Sequence, residues 1–166
     1  ARDSRERAMA DAALGRFDDA LLELSFPSRT TPLTFFENEM AADWRFRQIL
    51  AKLPVRPSRA MLEQQLLENS DLTSQSPSSQ FRCGACLWML GQFDGAIYYW
   101  ENLADDQGPW GAAARAALAV SGRETPADVQ RRSAWDIGGG PKPDPALVAF
   151  FACVKADAPQ VRQPQN

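Results

Sequence analysis

The sequence predicts an all-α fold: a stack of antiparallel helix pairs, about seven to nine helices in all. Three observations lead there. The octapeptide Leu14-Gly15-Arg16-Phe17-Asp18-Asp19-Ala20-Leu21 returns 76 residues later as Leu90-Gly91-Gln92-Phe93-Asp94-Gly95-Ala96-Ile97, so L-G-x-F-D-x-A-[LI] is an internal repeat. Apolar residues recur at i, i+3, i+4 and i+7, the spacing of helices with one buried side. Helix breakers and caps punctuate those stretches, and no segment alternates apolar and polar residues as a strand would.

Taken in order, residues 3–14 read as a helix with Ala8, Met9, Ala12 and Ala13 on its apolar side, and Gly15-Arg16 is the turn. Phe17, Ala20, Leu21 and Leu24 form the stripe of a second helix, which Pro27 must end. Residues 33–53 read as a longer helix, buried through Phe36, Met40, Trp44, Phe46, Ile49, Leu50 and Leu53, and Pro54-Val55-Arg56-Pro57 breaks it. Pro57-Ser58 opens another helix to about Asn69, with Met61, Leu62, Leu66 and Leu67 inward. Residues 71–79 are polar loop whose Ser-Pro-Ser-Ser end caps the next helix.

That next helix begins the most informative stretch, residues 76–110. Phe81, Ala85 and Trp88 share a stripe that Gly84, Leu87 and Leu90 widen. After the Gly91 turn, Phe93, Ala96, Ile97, Trp100, Leu103 and Ala104 make a second stripe, and Gly108-Pro109 stops it. Residues 110–120 are an alanine-rich helix ending at Ser121-Gly122, and Thr125-Pro126-Ala127-Asp128 starts a short one to about Trp135. Gly138 to Pro145 is a linker, flexible and then stiff. One apolar helix follows over 146–158, placed to cap the stack or dock on a partner, and 159–166 is a polar, frayed tail.

The pattern around both turns resembles the tetratricopeptide repeat family, whose units are helix–turn–helix hairpins of about 34 residues. Over 77–110, Gly84 matches the small residue at the helix crossing. Gly91, Phe93, Ala96 and Trp100 match the turn glycine, the aromatic, the small residue and the second aromatic, with Pro109 beside the terminal proline. Over 1–32 the matching residues are Ala8, Gly15, Phe17, Ala20, Leu24 and Pro32. Pro27, Cys83 and the absence of the family's first tryptophan depart from the pattern, and the resemblance is degenerate elsewhere. It implies a right-handed superhelical stack over 1–137. It also implies a groove lined by the first helix of each pair. On this chain that face carries Arg5, Met9 and Ala12, and then Phe81, Arg82, Ala85, Trp88 and Met89. Rings supply area there, arginine a fork for a carboxylate, and methionine adaptability.

Composition narrows the chemistry. Apolar residues make up 45% of the 166, enough for a core, and the net charge is −3, with nothing that marks a nucleic-acid binder. Residues 61–110 hold Arg82 alone against Glu63, Glu68, Asp71, Asp94, Glu101, Asp105 and Asp106, an acidic stretch that reads as a solvated face. No run reaches the roughly 18 apolar residues of a membrane span, so membrane association would come only through a partner. There is no histidine, which removes imidazole catalysis and histidine-containing zinc sites. Gly138-Gly139-Gly140-Pro141-Lys142 lacks the order of a phosphate loop.

Cys83-Gly84-Ala85-Cys86 is the sharpest chemical candidate, since a C-x-x-C can hold a low-pKa thiolate or two metal ligands. It falls inside a helix and reads first as two small packed residues. Three cysteines give no disulfide framework; a Cys83–Cys86 bridge stays open, and reduced thiols fit a cytoplasm best. The chain starts without Met, which leaves a removed targeting segment open. Trp44-Arg45-Phe46-Arg47 interleaves rings and cations but reads as core with solvated arginines.

The leading functional expectation is a non-catalytic interaction module, without cofactor or metal, that binds a peptide or helix of a partner in a hetero-complex. Two alternatives stand beside it: a structural subunit of a larger, membrane-associated assembly, docked through the Phe150-Phe151 helix, and a cysteine-based redox or metal-binding helical protein.

Overall fold

A computed structural model describes residues 2–25, 32–71, 76–122 and 142–162. Among them, regular structure is entirely helical: α1 (Arg2–Ala13), α2 (Phe17–Leu24), α3 (Phe35–Lys52), α4 (Arg59–Ser70), α5 (Pro77–Met89), α6 (Phe93–Leu103), α7 (Pro109–Ser121), a single 3-10 turn (Pro145–Leu147) and α8 (Val148–Arg162). The all-α class is as expected. The helix expected over 125–135 and the glycines of the linker fall outside the described residues.

The chain forms two compact units, 1–52 and 53–166, and the C-terminal helix packs within the second. In the first unit α1 and α2 pair, and α2 packs on α3 around Ala8, Ala20, Leu24, Ala41 and Trp44. In the second, α5 lies against α4 and α6, α7 packs on α6, and α8 runs along α7.

Local chemistry accounts for where these helices begin. Thr34 and Glu37 exchange bonds at the start of α3: the Thr34 amide donates to Glu37 Oε1 at 3.1 Å and the Glu37 amide to Thr34 Oγ1 at 3.2 Å. That reciprocal box satisfies two amides that no helical carbonyl can reach. Ser58 and Ser76 cap α4 and α5, accepting from the amides of Met61 and Ser79, and Pro77 and Pro109 fill first-turn positions that need no N–H.

The two L-G-x-F-D turns share one geometry. Gly15 and Gly91 sit at φ of 79° and 83°, left-handed backbone that glycine alone adopts without cost. Gly15 N donates to Ala12 O and Arg16 N to Asp11 O; 76 residues on, Gly91 N donates to Trp88 O and Gln92 N to Leu87 O. Each is a paired-bond helix end built on a left-handed glycine.

Inside the hairpins, volume is traded between facing positions. Ala8 and Leu24 are buried in the first unit, and the positions 76 later are Gly84 and Trp100. A Cβ on Gly84 would lie 2.4 Å from Trp100 Nε1 and 2.8 Å from its Cδ1. The larger ring on α6 therefore requires the smaller residue on α5.

The last helix differs from expectation at its end. It runs through Pro159 to Arg162 instead of stopping near 158. Proline there removes the donor to the Lys155 carbonyl, a loss that is cheapest near a helix end.

Candidate functional site: two helix faces

The first candidate is an open cleft in the first unit. Two stripes face each other: Arg5, Met9 and Ala12 on α1, spaced i, i+4, i+7, and Phe36, Met40, Trp44 and Arg47 on α3, spaced i, i+4, i+8, i+11. The Arg5 guanidinium lies 4.7 Å over the centre of the Phe36 ring, a cation–π contact joining the two stripes at one end. Beyond it, Met9, Ala12, Ala13, Phe17, Met40, Trp44 and Arg47 line a cavity of about 320 Å³.

Small side chains at 12 and 13 leave the space, and the Trp44 ring, 7% exposed, belongs to the core beneath. Met9 stands 45% exposed on the α1 side. Arg47 is paired with Asp43 at 2.9 Å. The lining is thus apolar and adaptable, with one arginine at its edge.

In the second unit the matching stripe of α5 is covered. Phe81, Ala85 and Trp88 stand 76 residues after Arg5, Met9 and Ala12, and none has exposed surface. Phe150 of α8 packs its ring edge against Phe81 at 5.9 Å and Trp100 at 6.0 Å, while Trp110 closes on Phe81 at 5.6 Å. Seven residues along α8, the Asp157 carboxylate accepts from Trp88 Nε1 at 2.9 Å and from Arg56 Nη2 at 2.6 Å.

These placements correct part of the expected groove. Of its residues, Arg5, Met9 and Ala12 sit where a ligand could reach them, whereas Phe81, Arg82, Trp88 and Met89 are buried. The α8 helix folds back over Phe81 and Trp88. Arg82, one position round from Phe81, turns towards α4, where its Nε donates to Asn69 Oδ1 at 2.7 Å. Phe150 is also enclosed by its own unit, so it is not an exposed docking element. Trp44 and Phe46 are both buried, leaving no aromatic of that pair on the surface.

The cysteines are placed for packing. Cys83, Cys86 and Cys153 are free and buried. Burial pushes the Cys83 thiol up to about 11, against the pull of the nearby Ser70 hydroxyl, the Arg82 charge and Tyr99. Burial, with Cys83 close by, pushes Cys86 up to about 12. At neutral pH neither is a thiolate, the form that attacks disulfides or binds metal. Among the described residues no three His, Cys, Asp or Glu side chains gather as a metal site would need, and no helix is long and apolar enough to cross a membrane.

Comparison with known protein families, with curated proteins and with solved structures returned no match. The signals that sequence reasoning passed over are Met40 and Arg47 as cleft lining and the ion pair of Asp157 with the exposed Arg56. The α3 period could have indicated the first two, since Phe36, Met40, Trp44 and Arg47 fall on one stripe. Nothing local marks Asp157, whose partners lie 69 and 101 residues away.

Proposed function

We propose that this chain is a non-catalytic helical module of the tetratricopeptide kind, a right-handed stack of helix pairs that binds a peptide or short helix of a partner protein. The open cleft between the α1 and α3 stripes carries this reading: the exposed Met9, the half-buried Met40, a tryptophan floor and an arginine at the edge. Apolar anchors in a concave site with few polar groups suit an amphipathic segment, and methionine tolerates variation in its sequence. The shared turn geometry and the traded pair at the crossings support the helix-pair stack. The buried, protonated thiols count against the cysteine-based alternative.

The test uses peptides selected from a random display library on the intact protein. Selected peptides are expected to bind at micromolar Kd and to lose at least tenfold on Met9→Glu with Met40→Glu, while circular dichroism stays unchanged. Failure to enrich any peptide, or equal binding to the folded double variant, would overturn the assignment of this cleft.

A further inference from the structure

The second unit holds a ligand-like helix already. On α8 and the 3-10 turn before it, the buried residues are Leu147, Phe150, Cys153, Val154, Asp157 and Ala158, one stripe at i, i+3, i+7, i+10 with two flanking positions. The opposite side, with Val148, Ala152, Lys155 and Ala156, faces solvent. This is how an amphipathic helix lies in a groove: one row of anchors inward, everything else wet.

The receiving face is built from α5, α6, α7 and the segment before α4. One end is an aromatic box: Phe81 from α5 and Trp100 from α6 meet the Phe150 ring edge-on, and Trp110 from α7 packs against Phe81. The other end is a carboxylate clamp. Trp88 is held by Trp100 and Phe93, with ring centres 5.7 and 4.5 Å away, and offers its N–H. Arg56, from the segment before α4, offers its guanidinium. Box and clamp lie about 10 Å apart along the bound helix, the rise of seven residues. Both recognise side-chain chemistry that other helices could present.

We propose that this α5–α7 face is a second helix-binding site, with α8 as its occupant in cis. Its outside partner is an amphipathic helix of another protein that carries an aromatic residue and, seven positions on, a carboxylate. Such a partner binds by displacing α8. The proposal rests on the interaction-module reading and narrows it, because it names the anchors and the competitor. While α8 is docked, the apparent affinity for an outside helix falls by the fraction of open molecules, so a site closed ten to one shows roughly tenfold weaker binding.

Two measurements on the full-length protein decide it. In amide exchange, residues 148–158 are expected to exchange at least tenfold faster than α5 and α6, as a separately opening element does. Exchange in step with α5 makes α8 permanent core and overturns the proposal. In the second, a fluorescein-labelled peptide of residues 142–162 is titrated into the parent and into Phe150→Ala with Asp157→Ala. The variant is expected to bind at least tenfold tighter than the parent, and the peptide bearing the same two substitutions is expected to lose that binding.

Equal affinity for parent and variant overturns the proposal, and so does a variant whose helical signal collapses. A concentration-dependent dimer of the parent, abolished by the two substitutions, would assign the face to α8 of a second copy and overturn the outside partner. None of these results touches the cleft lined by Met9 and Met40, so failure here and failure of the module reading are separable.

Discussion

Gly84→Ala is the substitution that the hairpin geometry punishes most legibly. The added methyl meets Trp100 Nε1 at 2.4 Å, Cδ1 at 2.8 Å and Cε2 at 3.0 Å. Ordinary contact is about 3.5–4.0 Å, so the ring must retreat by about 1 Å. It has nowhere to go, being fully buried with Phe81, Trp88 and Phe150 around it at 6.0, 5.7 and 6.0 Å between ring centres. Overpacking of this size costs ~1–3 kcal/mol, and the indole's bond to the Phe81 carbonyl adds up to ~1. Alanine returns ~1 kcal/mol of helix propensity, leaving a net loss of ~2 kcal/mol.

The first hairpin supplies the control, since Ala8 sits there with Leu24 at the matching place. In a Trp100→Leu background Gly84→Ala therefore becomes neutral or slightly stabilising, a coupling of ~2 kcal/mol between the two positions. Urea unfolding of the four proteins in the cycle measures it. Gly95→Ala is the second control: the nearest atom its methyl meets is Leu87 Cδ1, at 3.3 Å, the far end of a side chain that can shift. Equal cost of Gly84→Ala in both backgrounds would refute the argument from volume exchange.

Four further outcomes are expected. Arg115 Nη1 donates to the carbonyls of Ala104 at 2.7 Å and Asp106 at 3.0 Å, closing the C-terminal end of α6, so Arg115→Met leaves buried acceptors unmet and costs ~2 kcal/mol in urea unfolding. Gly15→Ala and Gly91→Ala each force a left-handed alanine into open space; each should cost ~1 kcal/mol, and nearly the same amount, because the two turns share their backbone. The native state holds the protons of Cys83 and Cys86 more tightly than the unfolded chain does, raising them from 9.0 to about 11 and about 12. Their contribution to stability is complete below pH 9 and falls away from there towards 12, so Cys83→Ala with Cys86→Ala should flatten that alkaline decline. Iodoacetamide at pH 8 should label these thiols only after denaturant is added; rapid labelling of the native protein would contradict their burial.

What the sequence made legible was local. The Leu-Gly-x-Phe-Asp turns could be read because a left-handed glycine and the two amide bonds behind it involve six consecutive residues. Ser58 and Ser76 announced their helices for the same reason: a cap acts on an amide three residues on. The fate of the α5 stripe could not be read. Phe81, Ala85 and Trp88 show the same i, i+4, i+7 spacing whether they face a core, a peptide or a helix of their own chain. Only the return of α8 decides among these, and Asp157, which fixes it, has the composition of any surface acid. The cleft is half legible: Met9 and Ala12 stand out on α1, while on α3 Phe36, Met40 and Trp44 read as core and Arg47 as a solvated arginine, so that row does not read as the facing side of a cleft.

The separation of Asp157 from its partners also sets an order of events. Each hairpin is stitched by bonds that span a handful of residues, and its two helices can close as soon as both are made. The contacts of α8 close loops of 69 residues to Trp88 and 101 to Arg56, costlier closures than any turn within a hairpin. On a ribosome adding about 5–20 residues per second, the aromatic face of α5 is complete several seconds before Phe150 exists to cover it. In every round of synthesis, Phe81 and Trp88, already packed on Trp100, wait for α8 to cover their remaining side.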